Sequence, residues 1–444
     1  MTVSLVTASL GILLGFATVA LPQLKLNEDE SSWFASIDLF CLMVFAPLGG
    51  ALSGWLGRKK ILMIFSPVAA LGWLLIAQSK TITILFVGRF LSSVALASML
   101  ASPNVYISET AHPDIRATLA SLPGFADSIG ISSIWILGHF VSWRTIAYFA
   151  ILPFCLLFPT FCFLPETPYW LVENGLEEPA QKSLQFFRSS VYYDIDQEMS
   201  DIQQKYLEKK VKMKSQSFQR ILSPAFLKPF TCIGIINVLT ILAGFAVLAN
   251  YVSEFMTESG SDIDPTIGPM VIGWMRLVIA LIVPFFVQKM NPKISFSIGQ
   301  FIKASAMLVI AIYFHLLIHA PEVTKNVTWI PMVMFILQFC VRSIAIMPVL
   351  YSLLGELFPT DIRTLSVGII QSLEFGSAAL IVKMYPDMKH VMGMYGICYL
   401  YASLGFFNSF WGYCTIPDNR SKSLIEIEEA YQSTSPLNMK RTNK

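Results

Sequence analysis

Apolar runs of about 18 to 26 residues recur along this chain, each long enough to cross a hydrocarbon core of about 30 Å as a helix. Lipid offers no partner to a bare N–H or C=O group, so a run of this kind must close its hydrogen bonds internally, as a helix does. The runs fall at 3–24, 33–56, 61–79, 82–107, 118–141, 145–164, 229–251, 266–287, 294–317, 329–354, 364–385 and 391–415. They predict an all-α integral membrane protein with twelve transmembrane helices. Composition agrees: 55% of residues are hydrophobic and 14% charged, with mean hydropathy +0.61, whereas soluble domains carry about 25% charged residues. The first run begins almost at Met1, lacks a basic leader and outruns a signal h-region, so it is read as a span.

Six runs lie on each side of a polar stretch. The expected organisation is a six-helix bundle over 1–164, a cytosolic, partly helical linker over 165–228, a second bundle over 229–415 and a cytosolic tail over 416–444. A duplicated phrase supports the two halves. Glu109-Thr-Ala-His-Pro-Asp-Ile-Arg116 and Glu356-Leu-Phe-Pro-Thr-Asp-Ile-Arg363 both hold Glu and Arg seven positions apart, with Pro and Asp-Ile between them, at the end of an apolar run. Charged ends repeated in this way suit two bundles that must be latched and released. A coincidental helix-joining turn is the plainer alternative.

Lysine and arginine set the orientation. One set of loops holds Arg58, Lys59, Lys60, Arg116, Lys289, Lys293 and Arg363, besides the basic residues of the linker and tail. The opposite loops are acidic, with Glu28, Asp29, Glu30, Glu254, Glu258, Asp262 and Asp264. Positive charge stays inside, so both termini are expected in the cytosol, and the sequon at Asn326 is expected outside as a candidate glycan acceptor. The net charge of +2 says nothing about nucleic acid; no nucleic-acid partner is expected, because the basic residues are placed for topology rather than for phosphate contacts. All seven cysteines fall within the runs and show neither a disulfide framework nor metal spacing. In the linker, Ile195, Met199, Ile202 and Tyr206 repeat at helical spacing, giving one apolar face expected to pack under the bundle. The run from Glu208 to Lys214 reads as a solvated helix end.

These residues are similar to those of the sugar porter branch of the major facilitator superfamily, most closely the insect facilitated trehalose transporter-like group. The resemblance rests on Gly49-Gly50 through Gly57-Arg58-Lys59, Gly88-Arg89, Tyr106-Ile-Ser-Glu109 to Arg116, Trp143-Arg144, Pro165-Glu-Thr-Pro168 with Trp170-Leu171, Gly355-Glu356-Leu-Phe-Pro359 to Arg363, and Pro417-Asp-Asn-Arg-Ser-Lys-Ser-Leu424 with Glu426 and Glu428. It spans nearly the whole chain and implies two pseudo-symmetric six-helix bundles. It also implies a cytosolic charge latch of Arg58, Glu109, Arg116, Glu166, Glu356 and Arg363, for which a helix-end role is the alternative. The pattern is incomplete at Gly54, Tyr169, Gln288, Asn291 and Pro292, so fewer ion pairs are expected to hold the inner ends shut.

Relatives that carry hexoses hold the sugar in a cage of polar side chains. The matching positions here are Gly124, Thr240, Ile241, Ala246, Arg276, Ser343, Tyr351 and Ala378, few of which replace the lost hydrogen bonds. Charge has been gained instead. Arg276 and Glu374 occupy cavity positions, with Arg342 and Asp127 near the same depth, and ionisable groups inside a membrane are functional candidates. Arg276 and Glu374 are expected to approach each other, either as a plug of the old pocket or as a seat for a charged or zwitterionic solute. Arg89, Lys303 and Lys383 are expected to snorkel. Proton-coupled relatives carry an acid in the first span, whereas Gly15-Phe-Ala17 here offers no titratable group, so the resemblance implies facilitated diffusion, Glu374 being the one substitute.

The expected function is facilitative transport of a small polar, sugar-like solute (hexose or trehalose class) across the plasma membrane by alternating access. A transport-dead sensor or scaffold and a carrier of a charged non-sugar solute are the alternatives. No Ser-His-Asp, metal-ligand or nucleotide signature argues for an enzyme, and no catalytic residue, cofactor or metal is expected. The partners expected are the solute and the lipid bilayer, with the chain a monomer.

Overall fold

A computed structural model describes residues 3–188, 195–204, 206–207, 224–260, 264, 266–287, 291–356 and 363–416. Every described element is helical. The first six expected spans are α1 (Ser4–Ala20), α2 (Glu28–Leu56), α3 (Arg58–Gln78), α4 with α5 (Ile82–Met99 and Ser102–Thr110), α6 (Pro113–Phe140), and α7 with α8 (Trp143–Phe149 and Leu152–Phe163). The linker forms α9 (Pro168–Glu173), α10 (Glu177–Phe187) and α11 over 195–204. The second six are α12 with α13 (Pro224–Thr240 and Ala246–Glu258), α14 (Ile267–Val287), α15 (Pro292–His319), α17 with α18 (Ile330–Val341 and Met347–Glu356), and α19 (Arg363–Thr415), with the short α16 (Pro321–Thr324) after α15. α19 joins the last two spans across a kink at Gly393, where φ is 68°. Among the described residues nine helical segments are long and apolar enough to cross a membrane.

Local chemistry sets the helix starts. Asn27 caps α2 reciprocally with Glu30: Asn27 Oδ1 accepts from Glu30 N at 2.7 Å, and Asn27 N donates to Glu30 Oε2 at 3.0 Å. Glu28, Asp29 and Glu30 fill that first turn, where the helix dipole favours anions. At α15 the cap is one-sided: Asn291 Oδ1 accepts from Lys293 N at 3.0 Å and Ile294 N at 3.4 Å, with Pro292 at the first helical position.

Two spans of the second half are interrupted. A five-residue π-helix, Ile241–Phe245, separates α12 from α13, and another, Arg342–Ile346, separates α17 from α18. Such bulges are frequent at functional sites. At Gly244 φ is +90°, and a Cβ there would meet the Tyr401 ring at 2.2 Å, so only glycine fits.

The compact units do not follow the two sequence halves. One contains 1–212, 246–281 and 378–391; the other contains 213–245, 282–377 and 392–444. The first thus gains α13, much of α14 and the middle of α19. Within it, the Thr18 hydroxyl donates to Ala249 O, and Tyr251 and Phe255 lie against Tyr385, with ring centroids 4.5 and 5.9 Å away. The amphipathic face expected in the linker is real, but its partners are the linker's own helices. Met199 and Ile202 share a core with Trp170, Leu171, Val172, Ala180 and Leu184, and Ile195 and Tyr206 pack against it.

Candidate functional site

Three of the six expected latch residues meet where α2 turns into α3. Gly57 makes that turn at φ +107°, and a Cβ on it would lie 2.3 Å from Glu166 Oε2. The bare backbone lets Glu166 reach the α3 N-terminus, where its carboxylate accepts from Arg58 N at 3.1 Å and from Lys59 N at 3.0 Å. Arg58 Nη2 donates to Glu109 Oε1 at 2.9 Å, and Thr167 Oγ1 donates to Glu109 Oε2 at 2.6 Å. Glu173 Oε2 stands 4.0 Å from the same guanidinium. Trp170 Nε1 donates to Gly54 O at 2.7 Å, and Tyr106 OH donates to Pro165 O at 2.8 Å. The Pro165-Glu-Thr-Pro168 motif is therefore a hub joining the α2–α3 turn, the end of α5 and the linker. Arg188 extends it, holding Glu198 at 2.9 Å and Thr110 O at 2.8 Å. The side chains of Arg116, Tyr351, Glu356 and Arg363 lie outside the described residues, as do 208–214 and the tail beyond 416.

A second set of charges, whose pairing the sequence does not reveal, gathers at the opposite span ends. Lys389 pairs with Glu254 at 2.6 Å and with Glu258, joining α19 to α13. Lys383 pairs with Asp29 and donates to Ser32 Oγ at 2.8 Å, joining α19 to α2. Lys383 thus sits at a span end as expected, but as a paired group. Nearby, His139 Nδ1 lies 2.6 Å from Thr266 Oγ1, whose hydroxyl donates to Asp264 at 2.7 Å. The Thr266 hydroxyl and N–H both donate to Asp264 and hold its carboxyl below the usual carboxylate range.

Arg89 and Lys303 do not snorkel. Both are fully buried. Arg89 Nη2 lies 2.5 Å from Asp38 Oδ2, its guanidinium donates to Phe34 O at 3.2 Å, and the rings of Phe16 and Phe34 flank it. Ser93 Oγ donates to the other Asp38 oxygen at 3.0 Å. Asp38 was missed in the sequence, although an acid inside an apolar run is a signal that could have found it; it places a carboxylate beside the first span. Lys303 Nζ donates to Thr240 O at 3.5 Å and lies 5.7 Å from the Phe245 ring centroid.

The cavity positions divide by unit. Thr240 is a structural hub: its hydroxyl donates to Ile236 O at 2.7 Å and accepts from Gln300 Nε2 and Asn408 Nδ2, each at 2.9 Å. One donor and two lone pairs are all it has, so this side chain has nothing left for a solute hydroxyl. Ile241, Ala246 and Ala378 are buried and apolar, Gly124 is exposed, and Ser343 is half-buried in the π-helix that begins at Arg342. The charges expected to pair with each other each have a neighbour within their own unit. Glu374 Oε1 stands 4.0 Å from Arg342 Nη2, and the Arg342 guanidinium lies 3.7 Å from the Phe245 ring centroid. Arg276 interacts electrostatically with Asp127 and lies 6.0 Å from the Trp135 ring. Asn326 is exposed in a turn after α16.

Paired spanning helices, broken helices beside buried charge, and a glutamate–arginine hub under the first half define a multi-pass membrane carrier of the major facilitator fold. The chain belongs to the "Sugar (and other) transporter" family, whose model matches residues 6–431. It is 24% identical to a facilitated trehalose transporter Tret1-2 homolog of Drosophila simulans, over 98% of this chain and 91% of that protein. It is 25% identical to the facilitated trehalose transporter Tret1 of Polypedilum vanderplanki, over 94% of this chain and 82% of that protein. The inward open xylose transporter XylE from E. coli superposes with a TM-score of 0.77 at 17% identity, covering 97% of this chain and 98% of XylE.

Proposed function

We propose that the chain is a facilitative carrier of a small polar, sugar-like solute, working by alternating access in the plasma membrane as a monomer with both termini in the cytosol. The observation that carries this reading is the Gly57–Arg58–Glu109–Glu166 hub, whose residues hold the family's latch positions. Charge-assisted bonds of this kind are strong enough to hold one state and are broken when bundles rock. Arg116, Glu356 and Arg363 complete this cytosolic latch. On this orientation the Lys383 and Lys389 pairs close the outer ends and Asn326 carries the glycan. Hexose affinity is weak, because Thr240 is occupied by protein partners and Ile241, Ala246 and Ala378 offer no polar group.

A carrier of a charged or zwitterionic solute is the second reading, favoured by Arg342 beside Glu374 and Arg276 near Asp127. Uptake into proteoliposomes of labelled trehalose, glucose, polyols, organic acids and amino acids tests both. Saturable flux of a neutral sugar or polyol supports the first reading, and flux confined to charged solutes supports the second. A ligand that stabilises the protein without flux identifies a sensor and overturns both.

A further inference from the structure

Two histidines stand one turn apart near the end of α15. His315 and His319 share a helix face, since side chains four positions apart project on the same side. Their ring centroids are 4.7 Å apart and their planes meet at 41°. Past the Gly393 kink, α19 brings Tyr395 against them, with its ring centroid 5.1 Å from His315 and 6.4 Å from His319. Tyr399, one turn further on, lies 6.2 Å from His315. His315 is half-buried and His319 exposed, so the cluster opens to the surface on one side.

The hydrogen bonding of this cluster is incomplete. His315 Nδ1 is closed off from solvent and has no hydrogen-bond partner among the described residues. A buried polar nitrogen without a partner is costly, and a water or ion is one of the usual remedies. Two imidazoles this close also repel if both take a proton, whereas their neutral forms offer lone pairs to one shared cation. The spacing of four on one helix face is that by which zinc enzymes hold metal with paired histidines. Among the described residues no third His, Cys, Asp or Glu joins them, so the rest of the shell falls to water or the Tyr395 hydroxyl.

We propose that His315 and His319 form a surface site for a borderline divalent transition ion such as Zn²⁺. Imidazole nitrogen suits such ions, while Mg²⁺ and Ca²⁺ require oxygen donors that the cluster lacks. On the orientation proposed above, the site opens outside the cell, at the joint between α15 and the last span. It is independent of which solute the protein carries.

The test uses the full chain, purified through a tag without histidine. Co²⁺ is titrated as a spectroscopic stand-in and displaced with Zn²⁺, and thermal unfolding is followed with Zn²⁺ or Mg²⁺ present. The result expected is one Co²⁺ per chain with visible ligand-field bands, no near-ultraviolet thiolate band, and displacement by Zn²⁺. Zn²⁺ raises the unfolding temperature and Mg²⁺ does not. His319→Gln, an exposed position that leaves the fold intact, abolishes both effects, as does His315→Gln, while Cys155→Ser/Cys162→Ser keeps them. Binding that survives His315→Gln/His319→Gln, a thiolate spectrum, or wild-type protein that takes up no Co²⁺ overturns the proposal.

Discussion

Breaking the Asp38–Arg89 pair should be among the most damaging single changes in the first unit, and the size follows from its surroundings. The side chains are 3% and 0% exposed, and the pair ties α2 to α4 beside α1. Asp38→Ala leaves a guanidinium facing two carbonyls, Phe34 O at 3.2 Å and Leu13 O at 3.5 Å, and two aromatic rings. Ring contacts are worth roughly 0.5–2 kcal/mol, too little to offset an unpaired buried charge, whose cost is about 3–5 kcal/mol. At about 1.4 kcal/mol per tenfold change, the folded-to-unfolded ratio falls by about a hundredfold or more. Arg89→Met should cost a similar amount by stranding the carboxylate. The double variant Asp38→Leu/Arg89→Met removes both charges and should be close to wild type, because apolar replacements of buried pairs are often neutral. Unfolding in mixed micelles of rising denaturing-detergent fraction measures this through Trp73, which is buried edge-on to Phe16 at 5.1 Å. A double variant as damaged as the two singles together would refute the coupling, and singles as stable as wild type would refute the burial argument.

Gly57→Ala should lower flux and stability together, because the new Cβ would displace Glu166; Gly54→Ala, whose Cβ meets nothing within 4 Å, is the control that should leave both unchanged. Thr240→Val should cost about 1–3 kcal/mol by leaving the Gln300 and Asn408 amides unpaired, with Thr240→Ser near wild type, both read by thermal unfolding. Lys389→Gln leaves Glu254 and Glu258 without their shared cation, and at roughly 0.2–1 kcal/mol for each of the two partly exposed pairs it should raise labelling of a cysteine placed at Ser253 by no more than about thirtyfold. The bonds from Thr266 keep the Asp264 carboxyl depressed, so their contribution is present above its unfolded value and lost as pH falls through the folded one; Asp264→Asn should flatten the acid limb of a thermal unfolding profile.

The spans were legible because lipid leaves the backbone one solution, and length with composition then suffices. The Arg58–Glu109–Glu166 hub was legible through its motif, since each residue sits at a helix end whose position the runs already fixed. Partner choice inside the membrane was not. Arg89 and Lys303 lie at depths consistent with snorkelling, and only packing reveals that Asp38 sits across from one and a carbonyl near the other. Thr240 shows the same limit. Its cavity register says where the residue sits along the span, but not that its hydroxyl meets Gln300 and Asn408. The Lys383 and Lys389 pairs were hidden because their partners lie more than a hundred residues away, a separation no local pattern encodes.

The two broken helices and the gained charges converge on one stack. Arg342 opens the second π-helix, Phe245 closes the first, and their contact at 3.7 Å ties the two breaks together. Glu374 on α19 stands 4.0 Å from the same guanidinium. A carrier needs an element with two arrangements of nearly equal energy, so that a solute's differential affinity decides between them. A cation–π stack worth about 0.5–2 kcal/mol and an ion pair at the edge of bonding distance are contacts of that size. By contrast, the Asp38–Arg89 pair is too costly to break in each cycle. The magnitudes divide the two sets of charges: the first unit's buried pair keeps its helices rigid, whereas the Arg342 contacts with Phe245 and Glu374 are of a size that can be exchanged in a cycle. Phe245→Leu should therefore change exchange kinetics while leaving stability within about 1 kcal/mol, measured as counterflow rate against unfolding midpoint; a variant that loses stability and keeps its rate would assign the stack to structure alone.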